Sequence, residues 1–104
     1  MSLTTNPESP CLKVMRADGQ QECYLVLSEE ERAKGFVRPV RDRYKHLACG
    51  SVTTMGRALA ETYARDPAFY GGTFCFQCGS HFLLIDESGK PGFEWTDDGT
   101  AVGT

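Results

Sequence analysis

What this chain lacks narrows it first. No run of apolar residues approaches the roughly 20 that span a bilayer, and Met1 to Pro10 hold no apolar segment of the kind a secretory signal needs. These absences predict a soluble protein of the cytoplasm with no membrane partner. Apart from one pair of matching half-sites described below, there is no internal repeat, and there is no low-complexity run. Positive charge is not in excess either: the formal net charge is -3. An even cysteine count is missing as well. Five cysteines, two of them in a Cys-x-x-Cys, fit a reducing compartment and a metal site better than a secreted disulfide framework. At 104 residues the chain is one domain at most, small enough to gain from a metal or disulfide staple.

What is present is a pair of half-sites of the same shape, His46-Leu47-Ala48-Cys49-Gly50 and Cys75-Phe76-Gln77-Cys78-Gly79. Each sets two soft or borderline metal ligands three residues apart and follows the second with glycine, the residue that most readily takes the φ > 0 turn needed to wrap backbone around an ion. Zinc imposes no geometry of its own and accepts four nitrogen and sulfur ligands, so two rigid two-ligand clips suffice. The expected site is one structural Zn2+ per chain on His46, Cys49, Cys75 and Cys78. His81 is the alternative fourth ligand, because Cys78-x-x-His81 has ligand spacing too. Cys23 reads as a core residue and Cys11 as an incidental free thiol.

The competing chemistries are a redox dithiol and a catalytic zinc. A redox Cys-x-x-Cys opens a helix after a strand, whereas here Cys78-Gly79-Ser80-His81 runs into the strand-like Phe82-Leu83-Leu84-Ile85. A catalytic zinc keeps one position for water and a base nearby, and four protein ligands leave no vacancy. Glu61, on the intervening helix, is the carboxylate that could approach the metal, but a helix glutamate usually sits on a solvated face. The sequence therefore predicts no enzyme and no catalytic residue.

Residues 1–10 read as a flexible tail and residues 11–104 as a single zinc-stabilised domain. Leu12 to Arg16 and Glu22 to Leu27 flank an Asp18-Gly19 turn signal and suggest a β-hairpin. Ser28 and Glu31 form a capping box for a short helix over 29–34, ended by Gly35. Pro39 confines Phe36 to Arg41 to an edge strand or loop. Thr53 or Thr54 caps a helix running to Arg65, with Met55, Leu59 and Tyr63 as its apolar stripe and Asp66-Pro67 as its stop. His81 to Ile85 and Phe93 to Thr96 read as a second hairpin around a Gly/Pro loop. The predicted fold class is α+β: a small zinc-knuckle, zinc-ribbon-like domain with two β-hairpins and one central amphipathic helix.

Charge is unevenly distributed. Residues 32–65 carry eight basic and two acidic side chains, and both flanks are acidic. Within the basic third, Arg38, Arg41, Arg43 and Lys45 are interrupted by Tyr44 just before the first half-site. Guanidinium forks suit phosphate and an interleaved aromatic can stack on a base, so these five residues are the candidate nucleic-acid contact. Against it stand the negative net charge and the absence of another basic cluster beyond Arg57 and Arg65. The same cations would equally pair with the acidic flanks, offset thiolate charge or protect an edge strand.

The segments Gly35-Phe36-Val37-Arg38-Pro39-Val40-Arg41, Glu61-Thr62-Tyr63-Ala64-Arg65-Asp66-Pro67 and Phe69-Tyr70-Gly71-Gly72-Thr73-Phe74-Cys75 resemble a family of small uncharacterised zinc-knuckle proteins of bacteriophages, prophages and bacterial genomes. The resemblance covers residues 35 to 82. Leu83 stands where that family often has proline, so the course of the next strand is not fixed by it. The resemblance implies a zinc site and a phage or prophage origin, and it assigns no substrate. The functional expectation is a non-enzymatic zinc-binding interaction module, a phage accessory or host-interaction protein with a protein partner; the alternative is a nucleic-acid-binding zinc module using 38–45.

Overall fold

In the computed structural model, which describes residues 2–104, the chain runs through β1 (Ser2–Thr4), a 3-10 turn (Pro10–Lys13), β2 (Cys23–Leu25), α1 (Glu29–Arg32), β3 (Arg43–His46), β4 (Val52–Thr54), α2 (Arg57–Arg65), β5 (Gly72–Cys75), β6 (Ser80–Leu83) and β7 (Phe93–Trp95). The architecture is α+β. Its strands form three small sheets: β1 beside β2, the three-stranded β4-β3-β7, and β5 beside β6. No helix among the described residues is long and apolar enough to cross a membrane.

Period-two alternation builds the core from the middle sheet. Tyr44 and His46 of β3 point inward while Arg43 and Lys45 point out. Antiparallel pairing sets Tyr44 opposite Trp95 and His46 opposite Phe93, so the two large aromatics of β7 fall on the same buried face. Leu59, Ala60 and Tyr63 of α2 close over them, joined by Met55, Val26, Leu84 and Val102. The ring of Tyr63 meets Trp95 edge to face at 5.3 Å, a geometry that adds to the area buried. Fully burying side chains of this size contributes about 2–3 kcal/mol each.

Several local expectations give way to longer-range pairing. The Asp18-Gly19 turn does form, with the Arg16 N–H donating to the Gln20 carbonyl and a bridge between Met15 and Gln21. The strand after it, however, pairs in parallel with Ser2–Thr4, inside the segment read as a flexible tail. A parallel partner requires a crossover of a dozen or more residues, and residues 5–22 supply it. The expected C-terminal hairpin is replaced as well. The Cys75 to Gly79 turn reverses the chain at once, so β6 pairs with the adjacent β5; β7 goes to β3, and a single bridge between Ile85 and Pro91 remains between the two segments. Thr53 and Thr54 lie in β4, where β-branched residues pair well with β3; α2 begins at Arg57 behind Gly56. Ser28 does cap α1, its hydroxyl accepting from the Glu31 N–H, and α1 ends at Arg32, two residues earlier than expected.

Cys11 is not a free thiol. It is disulfide-bonded to Cys23 across a separation of 12 residues, and Cys23 is buried. The bond ties the 3-10 turn to β2 and closes the crossover; a loop of that length corresponds to about 3 kcal/mol in the chain-entropy account. No sequence periodicity marks this pairing.

Candidate metal centre

Two turns of the same construction carry the four ligands. In the first, β3 ends at His46 and the Gly50 N–H donates back to the His46 carbonyl at 2.7 Å; in the second, β5 ends at Cys75 and the Gly79 N–H donates to the Cys75 carbonyl at 2.9 Å. Gly50 and Gly79 have φ of 76° and 64°, the left-handed conformation that glycine adopts without strain. Each turn thus returns its second ligand beneath its first. The turns are braced from outside: the Leu47 N–H donates to the Gly92 carbonyl at 2.9 Å, and the Phe76 N–H donates to Thr53 Oγ1 at 3.3 Å.

The turns face one another. One ligand atom from each of His46, Cys49, Cys75 and Cys78 lies within 4.8 Å of all the others. His46 Nδ1 stands 3.3 Å from Cys49 Sγ and 3.6 Å from Cys78 Sγ, and the sulfurs of Cys49 and Cys75 are 3.5 Å apart. A tetrahedral ion bonded to sulfur at about 2.3 Å and to nitrogen at about 2.0 Å separates its ligands by roughly 3.5–3.8 Å. These three separations are close to those values and the remaining pairs lie within 4.8 Å, while the Cys49–Cys75 sulfur separation is far beyond a disulfide bond of about 2.05 Å. The donor set of three cysteines and one histidine suits a tetrahedral borderline-soft cation.

The surroundings favour thiolate at one corner and hold a proton at another. The Ser51 N–H beside the Cys49 sulfur, aided by hydrogen bonds from neighbouring side chains, pulls that thiol down to about 6. At Cys78, lost hydration of the sulfur, with the Cys75 and Cys49 sulfurs close by, pushes the thiol up to about 11. A cation at the centre would reverse the second effect. His46 is buried and clamped between Phe82, at 4.5 Å between ring centroids, and Phe93, at 4.7 Å. The clamp fixes the ring plane, so Nδ1 is held on the sulfur side. Neither phenylalanine was identifiable as part of the site in the sequence, since Phe93 arrives through the β3-β7 pairing and Phe82 through the β5-β6 register.

His81 lies elsewhere. Its Nε2 is 3.0 Å from the Tyr24 hydroxyl, and its ring packs on Tyr24 and Phe74. Burial lowers its basicity. Glu61 is likewise committed, binding Arg32 at 2.6 Å and Arg57 at 3.0 Å on the helix surface.

The basic segment is split by the fold. Arg41, 4% exposed, turns inward: its guanidinium donates to Asp98 at 3.0 Å, to Thr100 at 2.9 Å and to the Thr104 carbonyl at 3.0 Å, and lies 4.8 Å over the Trp95 ring. Tyr44 is buried too, with its hydroxyl donating to the Phe74 carbonyl. Both are therefore removed from the candidate nucleic-acid contact, Arg41 because a buried cation needs a partner and Tyr44 because β3 turns it inward. Arg38, Arg43 and Lys45 remain at the surface.

No protein-family model, curated protein or solved structure matches the chain.

Proposed function

We infer that this protein is a non-enzymatic interaction module built around one structural zinc ion. The observation that carries the reading is the convergence of His46, Cys49, Cys75 and Cys78, from two turns of identical construction, on a space of tetrahedral dimensions. Zinc is the metal this donor set suits at such spacing, with three thiolates and one neutral imidazole. Four protein ligands complete its coordination, so there is no position for an activated water. Binding energy of about 10–16 kcal/mol for such sites would match the whole stability of a domain this size.

A site of this kind acts by holding surface in place. Leu47 and Phe76, inside the two turns, are exposed, as are Phe82, Leu83 and Ile85 beside them. Apolar side chains grouped around the metal turns support recognition of a protein partner, in keeping with the phage accessory or host-interaction reading that the resemblance suggests. The nucleic-acid alternative retains three surface cations and no exposed aromatic among its five residues.

Elemental analysis of the purified chain tests the metal. One zinc per chain is expected, lost in His46→Ala and Cys75→Ser and kept in His81→Ala. Retention in His46→Ala would overturn the ligand set. For the interaction reading, Leu83→Asp with Ile85→Asp should abolish partner retention while zinc content and the amide spectrum stay unchanged; retention indifferent to both substitutions would count against it.

A further inference from the structure

A cavity of about 390 Å³ opens between α2, the β3-β4 pair and β5. Interiors of small domains are packed with few voids larger than a water molecule, whereas pockets for small ligands begin near 300 Å³. Tyr44, Leu59, Tyr63, Tyr70, Thr73 and Phe76 form its walls, with Val52 at the rim. None of the residues lining it carries a charge. The phenols add none: burial pushes Tyr44 up to about 12 and raises Tyr24, Tyr63 and Tyr70 as well. The exposed cations of β3, Arg43 and Lys45, project from the opposite face of the strand to Tyr44.

Its polar lining is made of hydroxyl and amide groups, from four tyrosines, three threonines and Gln20. Thr73 Oγ1 gives its proton to the Tyr44 hydroxyl at 3.1 Å and keeps acceptor capacity. Thr53 accepts from the Phe76 N–H and keeps a hydroxyl proton to donate. Gln20 Nε2 donates one proton to Asp18 at 3.4 Å, and its second amide proton and its amide oxygen remain as donor and acceptor. Aromatic walls select a flat ring, an uncharged lining rejects ions, and paired donors and acceptors select heteroatoms. We propose that this cavity is a binding site for an uncharged, planar heteroaromatic molecule of up to nucleoside size. The site meets the exposed apolar surface assigned above to a protein partner at Phe76 and is otherwise distinct from it. It shares one wall with the metal centre, since Phe76 sits between Cys75 and Cys78.

The test uses the full chain, zinc-loaded and labelled with nitrogen-15. It is titrated with indole, quinoxaline and adenosine, and with their anionic counterparts indole-3-carboxylate, quinoxaline-2-carboxylate and adenosine monophosphate. At least one neutral probe should give saturable shifts at the Thr53, Thr73 and Phe76 amides, and its anion should bind about tenfold more weakly or worse, because the lining offers a carboxylate or phosphate no counter-charge. Val52→Trp, at an exposed rim position, should block the cavity and abolish those shifts with zinc content and the remaining spectrum unchanged. Phe76→Ala, also at an exposed position, should weaken binding by removing one wall while preserving the fold. The proposal is overturned if no neutral probe saturates at these amides, if the anions bind as tightly, or if Val52→Trp leaves binding intact in a folded, zinc-loaded chain.

Discussion

Replacing Arg41 with methionine separates a structural cation from a phosphate contact. The wild-type guanidinium makes three hydrogen bonds, to Asp98, Thr100 and the Thr104 carbonyl, and stacks on Trp95. Each bond contributes about 1 kcal/mol net, somewhat more where the acceptor is charged, and a desolvated cation over an indole about 1–2 kcal/mol. Two effects oppose these. Arg41 Nε is buried with no partner, so its removal recovers roughly 1 kcal/mol. The Asp98 side chain is 38% exposed, so water takes the place of its lost partner and no stranded charge remains. Methionine also keeps the apolar stem against Trp95. The balance is a loss of about 4 kcal/mol, which for a chain of this length lowers the melting temperature by roughly 16 °C. Thermal unfolding of the zinc-loaded protein, followed by Trp95 fluorescence in excess zinc, measures it. In parallel, affinity for a short single-stranded oligonucleotide should not change, because Arg41 does not reach the surface. An unchanged melting temperature, or a fall in oligonucleotide affinity without loss of stability, would refute the assignment.

Two further outcomes follow from the metal turns. Cys78, pushed up to about 11, is protonated near neutrality in the metal-free protein, and Cys49, pulled down to about 6, is largely ionised above that value. Zinc must displace the Cys78 proton, so from pH 7 to 8 the apparent affinity should rise by at least about one log unit, and more steeply below pH 6 where Cys49 also holds a proton; competition with a chelator at stepped pH measures this, and a flat profile would exclude Cys78 as a ligand. Gly19 packs the tip of the N-terminal turn on the second metal turn: a Cβ there would meet the Gly79 carbonyl oxygen at 2.0 Å, with φ at 90°. Gly19→Ala should therefore destabilise the chain by about 2 kcal/mol or more and speed zinc loss to a chelator, while a rate equal to wild type would show that the two turns do not support each other.

The His/Cys cluster that could hold a metal was legible because its information is local. Ligand type, a three-residue interval and a following glycine are properties of five consecutive residues, and each turn closes on itself through one backbone hydrogen bond. The choice of His46 over His81 was also local in origin, since His46 shares a turn with Cys49. The capping of α1 by Ser28 followed from the same kind of signal. What the sequence hid is the pairing between distant segments. Three-residue strands such as Ser2–Thr4 carry too few residues for a period to emerge, and nothing near Phe93 states that β3 is its neighbour. Arg41 misled for a related reason: its inward course depends on Asp98, Thr100 and Thr104, all more than 50 residues away. Cys11 did too, because a partner 12 residues off leaves no spacing rule to read.

The odd cysteine count, which first suggested a reducing compartment, has a simpler origin in the fold. One disulfide and three thiols in a cluster that could hold a metal account for all five, so an odd count by itself carries no information about compartment. It does carry information about how three small sheets hold together. An isolated two-stranded sheet is marginal in water, and this chain contains two of them. Cys11–Cys23 fastens the β1-β2 pair through the residue that opens β2. A metal held by Cys75 and Cys78 would link the β5-β6 turn to His46 and Cys49, at the end of β3. The three-stranded sheet, which buries Tyr44, Phe93 and Trp95 under α2, is the member with a hydrophobic core of its own. The two cross-links therefore fall where burial is weakest. On this logic, chelation should loosen β5-β6 ahead of β3-β7, and reduction should loosen β1-β2 with the metal turns still closed, an order that amide exchange resolves sheet by sheet.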